Sequence, residues 1–367
     1  MRFLMLNWRD PKNPRSGGAE RVTLAFLQDL VKRGHEVYWF ANAFPDCQPE
    51  ETLEGIHYVR GGGMGSSVIE ARKWYKKQPR FDLVIDQHHG IPWYARWWCG
   101  TRTISYIHEV LGPIWDSFYK WPFSFIGKSQ EGWTHWLYRN ELFLTPSTCT
   151  RDFLQKSGVK AVKIIPNGLY TQALATLPEK NLAAPLRLVS VSRLAPNKRI
   201  DHAVRLVQSL KAKGVEVRLR IVGGGDSEPD LKKLIQELGL GERVTLTGPL
   251  SESAKDEELR NAHFLVHTSL REGWGLNVIE ANAMGTPGAV YPVPGLIEST
   301  IDGETGIISK LETPDSLAEA LLTLLSKPEL YNRFRVKAWE RAKSLHWDNI
   351  LPLASDWFEQ QASRSGK

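Results

Sequence analysis

The sequence predicts an α/β protein made of two doubly wound, Rossmann-like domains facing each other across a cleft. Three observations lead there. Short, continuous apolar runs alternate with amphipathic segments, as parallel strands covered on both faces by helices do. The alternation starts afresh near residue 186, so two sheets follow one another. And 367 residues are too many for one ordinary core.

In the first half, FLMLN (3–7), EVYWFA (36–41), IHYV (56–59), LVID (83–86), TISYI (103–107) and LFLT (142–145) read as strands. Helical patterns fall between them, for example at 19–33 and 67–78. In the second half the strands are LRLVSVS (186–192), EVRLRIVG (216–223), RVTLTG (243–248), HFLVHT (263–268) and GAVY (288–291). Helical stretches at 199–213, 228–239, 252–262 and 275–285 separate them. The turn-rich segment 167–185 reads as the linker, and the tail from about 315 reads as helix broken at SKPE (326–329). The expected boundaries are a first domain at 1–168, a second at 169–345, and a final helix, 346–367, that returns to the first. Ligands of open α/β sheets bind beyond the C-terminal ends of the strands, so chemistry-bearing residues belong just after strands.

Composition narrows the class. No apolar run approaches the roughly 20 residues of a membrane span, and MRFLML is too short for a signal peptide's apolar region. Cys47, Cys99 and Cys149 are an odd, scattered set, which points to a reducing cytoplasm and away from disulfides or a zinc site. Residues 1–180 hold 23 Lys and Arg against 17 Asp and Glu, whereas 181–367 hold 24 of each. The basic excess therefore lies in the first half and suits an anionic partner there, such as a membrane surface or a phosphorylated acceptor. No zinc-finger spacing, RNA-binding signature or Arg-rich arm is present, so no nucleic-acid partner is expected.

The candidate chemistry concentrates in a few loops. In REGWGLNVIEANAMG (271–285), Glu272 lies in a loop and Glu280 lies within a helix that starts near Gly275. Glu280 shares its stripe with Leu276 and Ala283, and a carboxylate on an apolar stripe needs hydrogen-bond donors. Sugar hydroxyls would serve. So would a helix end or a basic side chain, which would make Glu280 a core acid. The backbone N–H groups of Gly275, Leu276 and Asn277 form a helix N-terminus, which favours phosphate. In SVSRLAPNKRID, Arg193 and Lys198 follow a strand, where a loop can bring both cations onto one diphosphate; a solvated basic loop is the alternative. Gly17 and Gly18 follow the first strand and let a ligand approach the backbone. They are not part of a G-x-G-x-x-G motif, which argues against a nicotinamide cofactor. His108 ends a strand and is a candidate hydrogen-bonding or acid–base residue, or a structural histidine. His88 and His89, also after a strand, are candidates for the acceptor side. No metal motif is present, so no metal is expected.

REGWGLNVIEANAMG resembles the E-x7-E signature of the retaining glycosyltransferases of family 4, which have the GT-B fold. SGGAER, YIHEV, IPNG (165–168), SRLAPNKR, VGGGDSEPDL and GPLSE are similar, in order, to the other segments of that family. The resemblance implies a nucleotide-sugar donor, UDP- or GDP-linked, bound by the second domain without a cofactor. By the same resemblance Arg193 and Lys198 hold the diphosphate, Glu280 the ribose hydroxyls and Glu272 the transferred sugar. Gly18, with Gly17, lies beside the pyrophosphate and His108 beside the sugar's 6-position. Gly223 belongs to a donor-side loop, and the backbone near Leu250 meets the base. The catalytic set is thus His108, Arg193, Lys198 and Glu272. Ser192, Arg199 and Glu109 depart from the family's usual residues, which bears on pocket shape and donor identity.

The resemblance also implies front-face transfer with retention, in which a leaving phosphate oxygen collects the acceptor proton. The first domain should take the acceptor, a glycan or a lipid-linked molecule. Residues 112–139 carry nine aromatics among 28 residues, with Lys120, Lys128 and Arg139, and 91–98 adds more. Trp93 and Trp115 are therefore placed on the acceptor side, and the aromatic-basic segment is expected to touch a membrane surface, at the inner face of the membrane. An ordinary core or a sugar-stacking surface is the competing reading of those aromatics. The competing functions are a nucleotide-sugar 2-epimerase of similar fold and a non-catalytic sugar-nucleotide-binding subunit.

Overall fold

A computed structural model describes the chain except Met64, His89, Pro113 and 365–367; the side chains of Ser117 and Phe118 are likewise outside the description. It divides into two compact units. One comprises Met1–Gly112, Trp121–Gly168 and Trp347–Lys367, and the other Pro113–Lys120 and Leu169–His346.

Among the described residues, the first unit holds an eight-stranded sheet. Its strands are β1 (Arg2–Leu6), β2 (Glu36–Ala41), β3 (Glu50–Leu53), β4 (Ile56–Arg60), β5 (Leu83–Gln87), β6 (Thr103–Tyr106), β7 (Leu142–Thr145) and β8 (Ala161–Ile164). The order is β3-β4-β2-β1-β5-β6-β7-β8, parallel apart from the β3–β4 pair. Strands β1 and β5 are buried at nearly every position, as central strands with helices on both faces must be. By contrast, β3 and β8 are edge strands whose positions alternate between exposed and half-buried. The sequence reading did not include them, because EETL and AVKI carry charges and no continuous apolar run.

The last helix, Trp347–Ser363, packs on the helix Gly18–Lys32 of the same unit. Phe26 meets Trp347 and Phe358 edge-on, at centroid distances of 5.6 and 6.0 Å. Ser355 Oγ donates to Asp29 at 2.6 Å, and Arg33 pairs with Asp356 at 2.6 Å. The Trp347 indole lies over Gly168 so closely that a Cβ there would stand 2.1 Å from the ring. A side chain at 168 and the seat of this helix are mutually exclusive.

The second unit holds a six-stranded, all-parallel sheet among the described residues: β9 (Leu186–Val191), β10 (Val217–Val222), β11 (Val244–Gly248), β12 (Phe264–His267), β13 (Gly288–Val290) and β14 (Gly306–Ile308). The order is β11-β10-β9-β12-β13-β14. The order reverses at β9, between β10 and β12, which makes the C-terminal ends of β9 and β12 the switch point where such sheets take ligands. No helix among the described residues is long and apolar enough to cross a membrane.

Candidate active site

The switch point of the second unit carries Arg193, Lys198, Glu272, Gly275, Leu276 and Asn277. The loop after β9 ends in a short turn, Pro196–Lys198, and the loop after β12 runs through Glu272 to Gly275. Backbone and side chains zip the two loops together. Leu270 N donates to Asn197 O at 2.9 Å. The Arg199 guanidinium donates to Thr268 O at 2.9 Å and Ser269 O at 2.7 Å and pairs with Glu312 at 2.8 Å. Arg199 stands where the resemblance puts a glycine, and here it ties the loops rather than leaving space.

Inside that frame Lys198 Nζ lies 2.5 Å from Glu272 Oε1. The same oxygen accepts from Ser269 Oγ at 2.6 Å and stands 3.4 Å from His267 Nε2. Its twin, Oε2, accepts no hydrogen bond among the described residues. Burial works against ionisation of Glu272, but Lys198 and His267 outweigh it and hold the carboxyl below its ordinary range. His267, the last residue of β12, is 4 % exposed, and burial pushes its imidazole down to about 4. It is therefore neutral near pH 7, and it also contacts the Asn277 side chain. Asn277 in turn donates to Val191 O at the end of β9, at 2.6 Å. Strand ends, helix start and carboxylate form one connected set.

Arg193 is exposed, and its guanidinium makes no ion pair or hydrogen bond among the described residues. Gly275 precedes the helix Leu276–Ala283 with φ of 83°. Gly223, with φ of 131°, closes against the loop after β9: a Cβ there would stand 2.0 Å from Ser192 O. Only a glycine lets the ends of β9 and β10 approach this closely. Leu250 follows β11 and is 36 % exposed.

Glu280 has a basic partner, Lys255, whose Nζ lies 3.1 Å from Oε2. Lys255 is 8 % exposed and also pairs with Glu252 at 2.7 Å. Burial opposes its charge, but the two glutamates more than compensate and raise its pKa. The carboxylate on the apolar stripe thus meets an ammonium group from the neighbouring helix. This was one of the readings left open by the sequence.

In the first unit the structure revises several expectations. The Gly17 amide is already engaged by Glu20 Oε2 at 2.7 Å, so the start of the helix Gly18–Lys32 carries its own carboxylate cap. His88 and Trp93, expected on the acceptor side, are both 0 % exposed. They belong to a buried network around Asp86, which accepts from the amides of Trp93 at 2.9 Å and Ala95 at 3.2 Å and lies 3.5 Å from His88 Nδ1. His89 lies outside the described residues. His108 is 6 % exposed, just past β6, with its Nε2 3.2 Å from the Gln87 amide nitrogen. Trp115, in the short helix Ile114–Phe118, is grouped with the second unit, where that helix packs against the Pro196–Lys198 turn. No group of three or more His, Cys, Asp or Glu among the described residues is arranged to hold a metal ion.

Two residues with a place in this geometry were not singled out by sequence: His267 and Lys255. His267 satisfies the criterion that selected His108, a histidine at the end of a strand. Lys255 offered no local signal, since 25 positions separate it from Glu280 and only the fold brings them together.

Residues 178–341 match the family described as Glycosyl transferases group 1, and residues 16–173 match Glycosyltransferase Family 4. The chain belongs to glycosyltransferase family 4. Among curated relatives, a D-inositol 3-phosphate glycosyltransferase of Streptomyces griseus is 32 % identical over 173 residues, covering 45 % of this chain and 37 % of the relative. An exopolysaccharide phosphotransferase of Streptomyces coelicolor is 31 % identical over 221 residues, covering 59 % of this chain and 23 % of the relative. The chain thus spans well under half the length of these relatives. Solved structures share the fold over nearly the whole chain. Sucrose-phosphate synthase from Thermosynechococcus elongatus superposes with a TM-score of 0.79 at 19 % identity, covering 99 % of this chain and 100 % of that one. Anabaena HepE in complex with UDP and glucose does so with a TM-score of 0.72 at 16 % identity, covering 98 % and 100 %. These neighbours give the architecture, GT-B, with two Rossmann-like units.

Proposed function

We infer that this chain transfers a sugar from a nucleoside-diphosphate sugar to a hydroxyl of a glycan or lipid-linked acceptor, with retention of configuration and without a metal. The observation that carries the reading is the Lys198–Glu272 pair at 2.5 Å, set at the switch point of a parallel sheet whose loops also present Arg193, unpartnered among the described residues. A cation and a carboxylate placed together there match a diphosphate joined to a polyhydroxylated ring.

The donor's diphosphate would draw Lys198 and Arg193 to itself, and Oε2 of Glu272 would accept from a sugar hydroxyl. The bond from the anomeric carbon to the phosphate oxygen then breaks as the acceptor oxygen bonds from the same face. The acceptor proton passes to that departing phosphate oxygen, so the step balances without a protein base. The protein's contribution is charge: two cations and a helix start facing the leaving group. The neutral His267 behind Glu272 would keep the carboxylate's orientation while Lys198 changes partner.

A UDP-linked donor is the first to test, since a fold neighbour was solved with UDP and glucose. The phosphotransferase relative is matched over less than a quarter of its length and does not favour phosphate transfer here. Of the acceptor classes we favour one held at a membrane, because the first unit turns aromatic side chains to solvent. A panel of UDP-, GDP- and ADP-sugars, read by release of the free nucleotide, tests the reading. Release from one donor, stimulated by an acceptor, supports it. An epimerised donor sugar with no transfer would identify the 2-epimerase instead, and no turnover or binding of any donor would end it.

A further inference from the structure

The helix Phe123–Leu137 is built inside out. Its buried positions are Ser124, Gly127, Glu131, Thr134 and His135. Its solvent face carries Phe125, Ile126, Trp133 and Trp136, each more than half exposed, with Trp121 (81 %) and Phe123 (67 %) at its start. Polar contacts hold the inner face down. Glu131 accepts from the amides of Leu111 at 2.7 Å and Gly112 at 2.9 Å, and Gln130 donates to Gly90 O at 3.3 Å. The helix cannot roll its aromatics inward without leaving the Glu131 carboxylate and two amides unpaired.

Four side chains of this size, half exposed, present on the order of 500 Å² of apolar surface. Surface patches of that extent mark an interaction site. The residue types favour a lipid surface over a dry protein interface. Tryptophan keeps a polar N–H beside a large apolar ring, which suits the level of lipid headgroups. Cations border the patch: Lys128 is exposed on the same helix, and the Arg139 guanidinium lies 4.4 Å from the centre of the Trp136 ring. Trp97, 51 % exposed, adds a ring beyond the helix's end, edge-on to Tyr138 at 5.0 Å. Fifteen residues make roughly 22 Å of helix, too short to span a bilayer and suited to lying along it.

We propose that the outer face of the helix Phe123–Leu137 docks in the plane of an anionic phospholipid surface, with Phe125 and Ile126 below the headgroups, Trp133 and Trp136 at their level, and Lys128 and Arg139 among them. This deepens the membrane-held acceptor reading and rests on it only for the use the enzyme makes of the surface. The binding itself needs no donor.

The test is co-sedimentation of the full chain, without donor, with phosphatidylglycerol vesicles and with phosphatidylcholine vesicles, at low and high salt. The comparison variant is Phe125→Ser/Trp133→Ser/Trp136→Ser, whose sites are exposed, and circular dichroism checks its fold. Binding to phosphatidylglycerol vesicles that weakens with salt and falls at least tenfold in the variant is the expected result. Absence of wild-type binding would overturn the proposal, as would binding that the triple variant retains. Concentration-dependent self-association abolished by the variant, with no vesicle binding, would assign the face to a second copy and overturn it too. Failure of every donor in the nucleotide panel would leave the vesicle result standing, so the two readings fail separately.

Discussion

Lys198 Nζ and Glu272 Oε1 stand 2.5 Å apart, with the carboxylate's other oxygen unclaimed by the described residues. The two groups come from loops 74 positions apart, yet each satisfies the other's charge in a partly buried setting. A diphosphate competes with Glu272 for Lys198, and that competition makes the pair a sensitive place to test function.

Lys198→Met should lower turnover of the preferred donor by roughly 10²–10³, the effect of losing one preorganised charge on a leaving group. It should also raise the pKa of Glu272, because burial would then act without its main counterweight. Nucleotide-release kinetics check the first and carboxyl titration by NMR the second. Turnover close to wild type would remove Lys198 from the phosphate role.

Arg193→Ala is the cleaner probe of binding. The side chain is exposed and makes no hydrogen bond or ion pair among the described residues, so the melting temperature should not change. Affinity for the donor's nucleoside diphosphate should fall by about tenfold or more, in line with one charge-assisted contact. Isothermal titration calorimetry measures it; unchanged affinity would mean that Arg193 is a solvated loop cation.

Lys255→Met should destabilise the second unit by about 1–3 kcal/mol, since the Glu280 carboxyl on its apolar stripe would lose its ammonium partner. Adding Glu280→Gln should recover much of the loss, because the neutral pair has no stranded charge. Urea denaturation of the two variants decides the point. A double variant no more stable than the single one would show that the pair is not what stabilises this helix.

Stability should fall on mild acidification. Burial pushes His135 and His267 down to about 4 and His263 to about 3, against an ordinary value of about 6.5. A histidine depressed in the folded state favours proton uptake by the unfolded chain. Its contribution is therefore complete above about 6.5 and is lost as pH falls from there towards the folded values. Each histidine should cost about 2 kcal/mol between pH 7 and pH 5. Urea midpoints across that range test this, and His267→Gln should make the slope shallower.

Gly168→Ala should cost about 1–3 kcal/mol, the usual effect of forcing extra volume into a packed contact, because its Cβ would enter the Trp347 ring. Increased protease cleavage ahead of Trp347 would accompany the loss. A wild-type melting temperature would show that the indole can move aside.

What the sequence made legible follows from how each element is stabilised. The central strands announce themselves because both faces are covered, so 83–85 (LVI) and 3–6 (FLML) are continuous apolar runs. Edge strands such as Glu50–Leu53 satisfy only one neighbour and carry charge, so pattern alone passes over them. The helix Phe123–Leu137 was visible as composition but not as a helix with an assigned face, since its periodicity is reversed. At the candidate site, glycines and charges next to strand ends drew attention to the loops after β9 and β12, which the sheet order sets side by side. Their pairings could not be read, because Lys255 with Glu280 and Lys198 with Glu272 are products of the sheet order. Burial corrected His88 and Trp93: proximity to a strand end says nothing about which way a side chain turns.

The fit of Trp347 onto Gly168 has a practical corollary. Residues 169–346, which with 113–120 make up the second unit, interrupt a first unit whose last segment follows only after them. A fragment stopped at Gly168 would leave Phe26 without Trp347 and Phe358 and should aggregate, whereas one that rejoins Gly168 to Trp347 keeps both ring contacts. Grafting a donor specificity from a relative therefore calls for two seams, one at each of these residues, rather than a single crossover midway.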